Sequence, residues 1–292
     1  MVLEIELILK VIIWGIVAGS IYTLLATGLN VIFGVMKVVN FAHGEFMIIG
    51  SYLTFWLWSN YNLNPYLSVI FAVAGLLLIG FIVEKLCFKP IRGSSKINEI
   101  FLSLGLIFII QNIIAYIAEP VRPVRTISPY QGLFIPLSII NLPYEFLITF
   151  CVTIVILTGL YFFLKNTKLG RSMRGVSQNR LAAMLVGINA SKVDMISFGL
   201  GAALAGVAGG LFGMLNTFDP YSGTVPAVKA FAIIILGGLG SIPGAVIGGF
   251  LYGVVESLAA FFLGGPWKDP TAFILLIIVL TLKPEGLFGR VE

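Results

Sequence analysis

Nine stretches of mostly apolar residues follow one another along this chain. They lie near Leu7–Phe33, Phe46–Trp58, Tyr66–Leu86, Ile100–Ala118, Glu145–Leu164, Met195–Leu215, Val225–Leu236, Ala245–Leu263 and Thr271–Leu282. A helix needs about 20 such residues to cross a bilayer. Inside lipid every backbone N–H and C=O must be satisfied within the protein, which favours helices over open strands. Several stretches are short or broken. The expectation is therefore an all-α polytopic membrane bundle of about eight spans (roughly seven to ten), with some interrupted or re-entrant pieces. Hydrophobic residues make up 59% of the chain and charged residues 11%, where a soluble domain carries about a quarter charged. The polar segments are too short to bury a core, so residues 1–292 read as a single transmembrane domain. The opening, Met1–Lys10, carries Glu4 and Glu6 rather than a basic leader, and reads as the start of a retained first span.

The net charge of +5 does not point to nucleic acid, because the basic residues sit in short loops between apolar runs, where they set topology. Lys85, Lys89, Arg92 and Lys96 cluster in one loop, and Lys165, Lys168, Arg171, Arg174, Arg180 and Lys192 in another; these are ten of the 18 basic residues. Both loops, near 85–98 and 165–193, are expected on the cytoplasmic side. The proline-containing connection Glu119–Pro143 is then outside, the tail Lys283–Glu292 inside, and the amino terminus outside. Cys87 and Cys151 have no disulfide or metal spacing and read as packed thiols. Glycines recur four apart, as in Gly15/Gly19, Gly206/Gly210, Gly209/Gly213, Gly244/Gly248 and Gly249/Gly253. Such faces let helices approach closely, either within one bundle or across a dimer.

Three features bear on function. The first is Asn40-Phe41-Ala42-His43-Gly44-Glu45-Phe46, which puts the only histidine, a carboxylate and an amide after the first span. Two readings stand. Ionisable groups at membrane depth face a pathway, or the segment is an interfacial turn with Asn40 capping the next helix and Glu45 at its positive end. No nucleophile or metal ligands accompany His43, so neither catalysis nor a metal is expected. The second feature is Leu236-Gly237-Gly238-Leu239-Gly240-Ser241-Ile242-Pro243-Gly244, a helix break in a later apolar run. Paired interrupted segments mark a transport pathway, so Asn40–Glu45 and Gly237–Gly244 are expected to approach one another. Neither GxxxxGK[ST] nor GxGxxG occurs, so the chain is not expected to bind ATP or another cofactor. The third is the basic loop, where Leu181, Met184, Leu185 and Ile188 form one face of a short helix. Ser177 or Asn179 could start it and Gly187 could end it. Such a helix lies on headgroups or docks to a partner. Lys229 and Glu256, within or at the ends of apolar runs, read as an interfacial or interhelical pair.

Val39-Asn40-Phe41-Ala42-His43-Gly44-Glu45 with Gly50-Ser51-Tyr52 resembles the amino-terminal signature of LivH-type permeases of branched-chain amino acid ABC transporters. Similar to that family, and in its order, are three later segments. Gly170-Arg171-Ser172-Met173-Arg174-Gly175 runs on through Ala182-Ala183 to Gly187-Ile188-Asn189. Leu204-Ala205-Gly206-Val207-Ala208-Gly209 follows, and then Lys229-Ala230-Phe231 through Leu236–Ala245. Gly175 departs from the commoner alanine. The resemblance implies a multi-pass permease in the plasma (inner) membrane of a prokaryote. It would pair with a second homologous permease, two cytoplasmic ATPase subunits and an extracytoplasmic solute-binding protein. The substrate would be leucine, isoleucine, valine or a related small amino acid. Relatives of the family carry urea or other amides, and an ion-coupled carrier or channel is the rival from outside it. The path would involve Asn40, His43, Gly44, Glu45, Gly237, Gly238, Gly240, Ser241 and Pro243. Contact with the ATPase would involve Arg171, Arg174, Leu181, Met184, Leu185, Gly187 and Ile188, since the family's equivalent segment is a coupling helix.

Overall fold

The computed structural model describes residues 2–118, 124–128, 133–137, 140–283 and 285–289. Met1, parts of the Glu119–Pro143 connection, and the tail positions Pro284 and 290–292 lie outside the described residues.

Each of the nine apolar runs is a helix: α1 (Val2–Met36), α2 (His43–Tyr61), α3 (Pro65–Val83), α4 (Lys96–Ile117), α5 (Tyr144–Asn166), α8 (Ala190–Leu215), α9 (Thr224–Gly237), α10 (Ile242–Leu263) and α11 (Pro270–Leu282). Between α5 and α8 come two short helices, α6 (Lys168–Gln178) and α7 (Arg180–Leu185). Six helices are long and apolar enough to cross a membrane by length and composition; α9 and α11 are shorter apolar helices. α2 is the helix that starts from a break. The connection between α3 and α4 is entered through a π-helical turn, Glu84–Phe88. A short antiparallel hairpin, β1 (Phe134–Leu137) with β2 (Ile140–Pro143), is the only sheet among the described residues.

α8 is the centre of the bundle, buried along most of its length with α1, α2 and α3 against it. Its glycines explain how. A Cβ on Gly209 would lie 1.8 Å from the Met47 carbonyl oxygen of α2, so only glycine permits this crossing. Ser51 Oγ, one turn on, donates to Gly209 O at 2.7 Å. The Gly15/Gly19 face of α1 meets Gly249 and Gly253 of α10 in the same way. These spacings therefore serve packing inside one bundle. The opposite surface is apolar and bare: Phe101, Phe108 and Tyr116 of α4 are exposed, as suits a helix facing lipid or another subunit rather than water.

The chain runs up and down this bundle in a way its contacts fix. Lys96 at the start of α4 donates to Lys37 O, just past the end of α1, at 2.7 Å. Arg92 and Arg180 both reach Asp194 at the start of α8. Leu287 N and Phe288 N in the tail donate to Leu236 O and Gly237 O, ending α9. The two basic loops, the α9–α10 turn and the described part of the tail therefore share one end of the molecule. At the other end Arg125 pairs with Phe218, and Ile127 N donates to Gly213 O near the end of α8.

Candidate functional site

The polar residues of the Asn40–Glu45 segment lie inside the bundle. Asn40, His43 and Glu45 are all buried, Glu45 to 1% exposure. After α1 ends, the chain turns back into the bundle through Lys37, which has a positive φ of 56°, and α2 starts beside the middle of α1. His43 Nε2 lies 3.1 Å from Leu25 O, and a carbonyl only accepts, so Nε2 carries the hydrogen. Leu25 precedes the end of α1 by about 16 Å of helix. Asn40 does not cap α2, whose N-cap is Ala42. Its Oδ1 instead accepts from Ala42 N at 3.1 Å, a turn that precedes the helix. Glu45, in the first turn of α2, accepts from Gln111 Nε2 of α4 at 3.0 Å. Glu45 Oε2, Asn40 Nδ2 and His43 Nδ1 are buried without a hydrogen-bond partner. Three unsatisfied polar atoms in six residues is an expensive arrangement.

The second break forms where expected. α9 stops at Gly237, Gly238 and Gly240 adopt positive φ of 100° and 84°, and α10 starts at Ile242 with Pro243 in its first turn. Ser241 is the α10 N-cap, its Oγ accepting from Gly244 N at 3.2 Å. Asn30 of α1 closes the turn from the side: its Oδ1 accepts from Gly240 N and its Nδ2 donates to Ser241 O, both at 2.7 Å. Gly237 and Gly244 touch backbone to backbone.

Both breaks pack against α9. Gly44 packs on Gly223 and Ala227, at the start of α9, and Phe41 stacks on Phe231 in its middle at 4.9 Å between ring centres. Gly237 closes the far end of α9, about 20 Å from Gly223 along the helix. Both breaks thus line α9, the Asn40–Glu45 segment along its first half and the Gly237–Gly244 turn at its end.

Lys229, on the same helix, is a buried interhelical pair. Its ammonium lies 2.5 Å from Glu256 Oε1 of α10 and 2.8 Å from Asp269 Oδ1 just before α11, and donates to the Tyr22 hydroxyl of α1 at 3.3 Å. Lys229 thus ties four helices together. It also leaves Glu256 engaged by a cation within the bundle.

At the basic end, α5 hands over to α6 through Thr167, whose Oγ1 accepts from Gly170 N at 3.0 Å. α6 buries Gly170, Met173 and Val176, leaving Arg171 and Arg174 exposed. Asn179 breaks the helix and caps α7, accepting from Ala182 N at 2.9 Å; Ser177 lies within α6. Leu181, Met184 and Leu185 are exposed, Leu185 to 88%. Ile188 departs from the expected stripe. α7 ends at Leu185, Gly187 turns the chain with φ +86°, and Ile188 packs inward. Val186, 78% exposed, takes its place on the surface. Beneath α7, Asp194 is wholly buried and accepts from both guanidinium nitrogens of Arg180, at 3.1 and 2.6 Å. That hydrogen bonding raises the Arg180 pKa above its already high ordinary value, so Arg180 stays charged.

Asn30, Gln111, Val186 and Asp194 were not singled out from the sequence. Asp194 alone carried a signal, being the first carboxylate after a basic stretch that has none.

A family model described as branched-chain amino acid transport system / permease component matches residues 11–280. The chain belongs to this family. Among permeases of the family, it is similar to the Salmonella typhimurium high-affinity branched-chain amino acid transport system permease protein LivH, at 34% identity over 95% of this chain and 94% of that one. BraD of Pseudomonas aeruginosa, of the same description, is also 34% identical, over 99% of this chain and 98% of its own. LivM of Escherichia coli is 27% identical over 91% of this chain and 67% of its own. Among solved structures, PsaBC from Streptococcus pneumoniae in complex with Fab shares the fold, with a TM-score of 0.51 and 13% identity over 94% of this permease and 92% of that chain. Permeases of this family are transport subunits, and the six span-length helices make this one a multi-pass membrane protein.

Proposed function

We propose that this permease is one of two related membrane subunits of an ATP-driven importer for leucine, isoleucine, valine or related small amino acids in a prokaryotic inner membrane. Two cytoplasmic ATPase subunits and an extracytoplasmic solute-binding protein complete the complex. The observation that carries this reading is the bare apolar face of α7. Leu181, Met184, Leu185 and Val186 form a surface too small to be a core and stand at the end of the bundle where the basic loops gather. By the charge rule that end faces the cytoplasm. A headgroup-bound helix would present a wider apolar face with aromatic anchors, and there is no aromatic residue between Ser177 and Asn189. An ATPase cleft is therefore the better partner. The substrate class rests on the names of the LivH and BraD relatives, and the second permease on the similarity to LivM as well as LivH.

The path is assigned to the buried polar segment Asn40–Glu45 and to the α9 helix that links it to the Gly237–Gly244 turn. Reconstitution tests the whole reading. In liposomes this chain alone should move no amino acid uphill, and adding the second permease, the ATPases and the binding protein should give ATP-driven uptake. Leu185→Asp places an unpaired carboxylate in the docking surface, which costs roughly 2–5 kcal/mol. The ATPases should then wash off during purification while the permease still inserts. Uphill uptake by the single chain on a proton or sodium gradient would overturn the proposal, as would a Leu185→Asp complex that stays whole and transports normally.

A further inference from the structure

Four alternating charges run beneath α7. Arg180 opens the row, at the start of α7. It pairs with Asp194 on α8, which also receives Arg92 at 2.9 Å from the α3–α4 loop. Arg92 in turn reaches Glu84 at 2.5 Å, in the π-helical turn that ends α3. Both carboxylates are buried, at 0% and 1% exposure, whereas the two arginines are half-buried. Charges in such a row cannot be moved singly: removing Asp194 leaves two guanidinium groups facing one another and a gap in the middle. The row joins four pieces of the protein, and α7 has little else to hold it, since Ala183 is its one buried residue.

The row does not stop at the surface. Phe88, in the same π turn as Glu84, lies against Phe198 of α8 with ring centres 5.0 Å apart. Phe198 stands edge-on to Phe46 of α2 at 5.9 Å, and Phe46 in turn lies beside His43. All three phenylalanines are buried. π-helical turns are rare and recur at functional sites.

We propose that Asp194 is the positioning residue that passes displacement of α7 into the membrane helices, through Arg92 and Glu84 to the π turn and the Phe88–Phe198–Phe46 column. This rests on α7 being the surface that the ATPase engages. Asp194 is then the joint between docking and transport. It is not part of the docking face, from which it is wholly hidden, and it touches no substrate.

The test uses the complete complex in liposomes and reads ATP hydrolysed per amino acid imported. In Asp194→Asn the ATPases should stay bound and hydrolysis should remain within about twofold, while uptake falls by about tenfold or more, as for a lost coupling between sites. Asp194→Glu should recover much of the uptake. Arg180→Gln should uncouple in the same sense, and adding it to Asp194→Asn should cost less than about twofold more, because the two share one interaction. An Asp194→Asn complex with the wild-type ratio of ATP to solute would overturn the inference. So would one that sheds its ATPases, which would make Asp194 part of the docking surface. If Asp194→Asn does not accumulate, Arg180→Gln decides: an unchanged ratio overturns the proposal and a raised ratio supports it. A wild-type chain that retains no ATPase would instead overturn the parent reading.

Discussion

Lys229 is the residue whose removal should be felt most. It is surrounded by Glu256, Asp269 and the Tyr22 hydroxyl, and is 3% exposed. Lys229→Met would leave Glu256 buried without its cation, a change that costs about 3–5 kcal/mol. We expect a clear loss of thermal stability in detergent, followed by size-exclusion of the heated protein. Adding Glu256→Leu removes the stranded charge and should return most of the stability, because a buried ion pair replaced as a whole by apolar groups is often neutral or better. A double variant as unstable as Lys229→Met alone would mean that packing around Lys229, not its charge, holds α9 in place. The sequence placed both residues within or at the ends of apolar runs and read them as an interfacial or interhelical pair; the structure makes the pair interhelical. Asp269 was not legible in the same way, because it lies in a connection where a carboxylate is ordinary.

At the scale of elements, the two breaks differ in kind. The Gly237–Gly244 turn is satisfied: glycine supplies the two positive φ angles, Ser241 caps α10, and Asn30 meets a donor and an acceptor. The Asn40–Glu45 segment keeps unpaired polar atoms at buried positions. The first is held by its partners, and the second is the one we expect to rearrange. In a protein with Cys87 and Cys151 replaced by serine, a cysteine at half-buried Ser241 should react with small water-soluble thiol reagents at rest. A cysteine at Ala42, which is fully buried, should react only while the complex turns over ATP. Inertness of both positions in every nucleotide state would argue for plain structural turns. Each break could be read from residue types alone, since clustered glycine, proline and amide residues in an apolar run can mean little else. How each break sits against α9 could not, because that is a tertiary fact. The α7 stripe shows the same limit. Its period holds for Leu181, Met184 and Leu185 and fails at Ile188, one residue past a glycine whose φ reverses the chain.

For the whole molecule, the charge rule and the contacts agree on which segments belong together. Lys96 against Lys37, Arg92 and Arg180 on Asp194, and the tail on α9 gather one end of the bundle. The connection at Gly265–Trp267 between α10 and α11 lies beyond the other end of α10. Single cysteines at Val186 and Lys268, both exposed, should therefore be labelled by an impermeant maleimide from opposite faces of the membrane. Labelling of both from one face would break the topology. Helical class and the positions of all nine apolar helices were legible because lipid imposes a simple rule on composition. What was not legible is which helix becomes the centre. α8 is no more apolar than its neighbours; it is central because its glycines let α2 and α3 approach, and a spacing of four does not name its partner.

The contact between α1 and α10 carries a consequence for how the chain is made. Asn30 waits for Ser241, 211 residues further along, and the glycine face of α1 waits equally long for Gly249 and Gly253. At a synthesis rate of about 5–20 residues per second, the interval is about 10–40 s. For that time the first helix stands in the bilayer with a polar amide and a shallow groove open to lipid, and the insertion machinery must either shelter it or leave it there. The earliest element in the membrane thus completes its contacts only when one of the last is made.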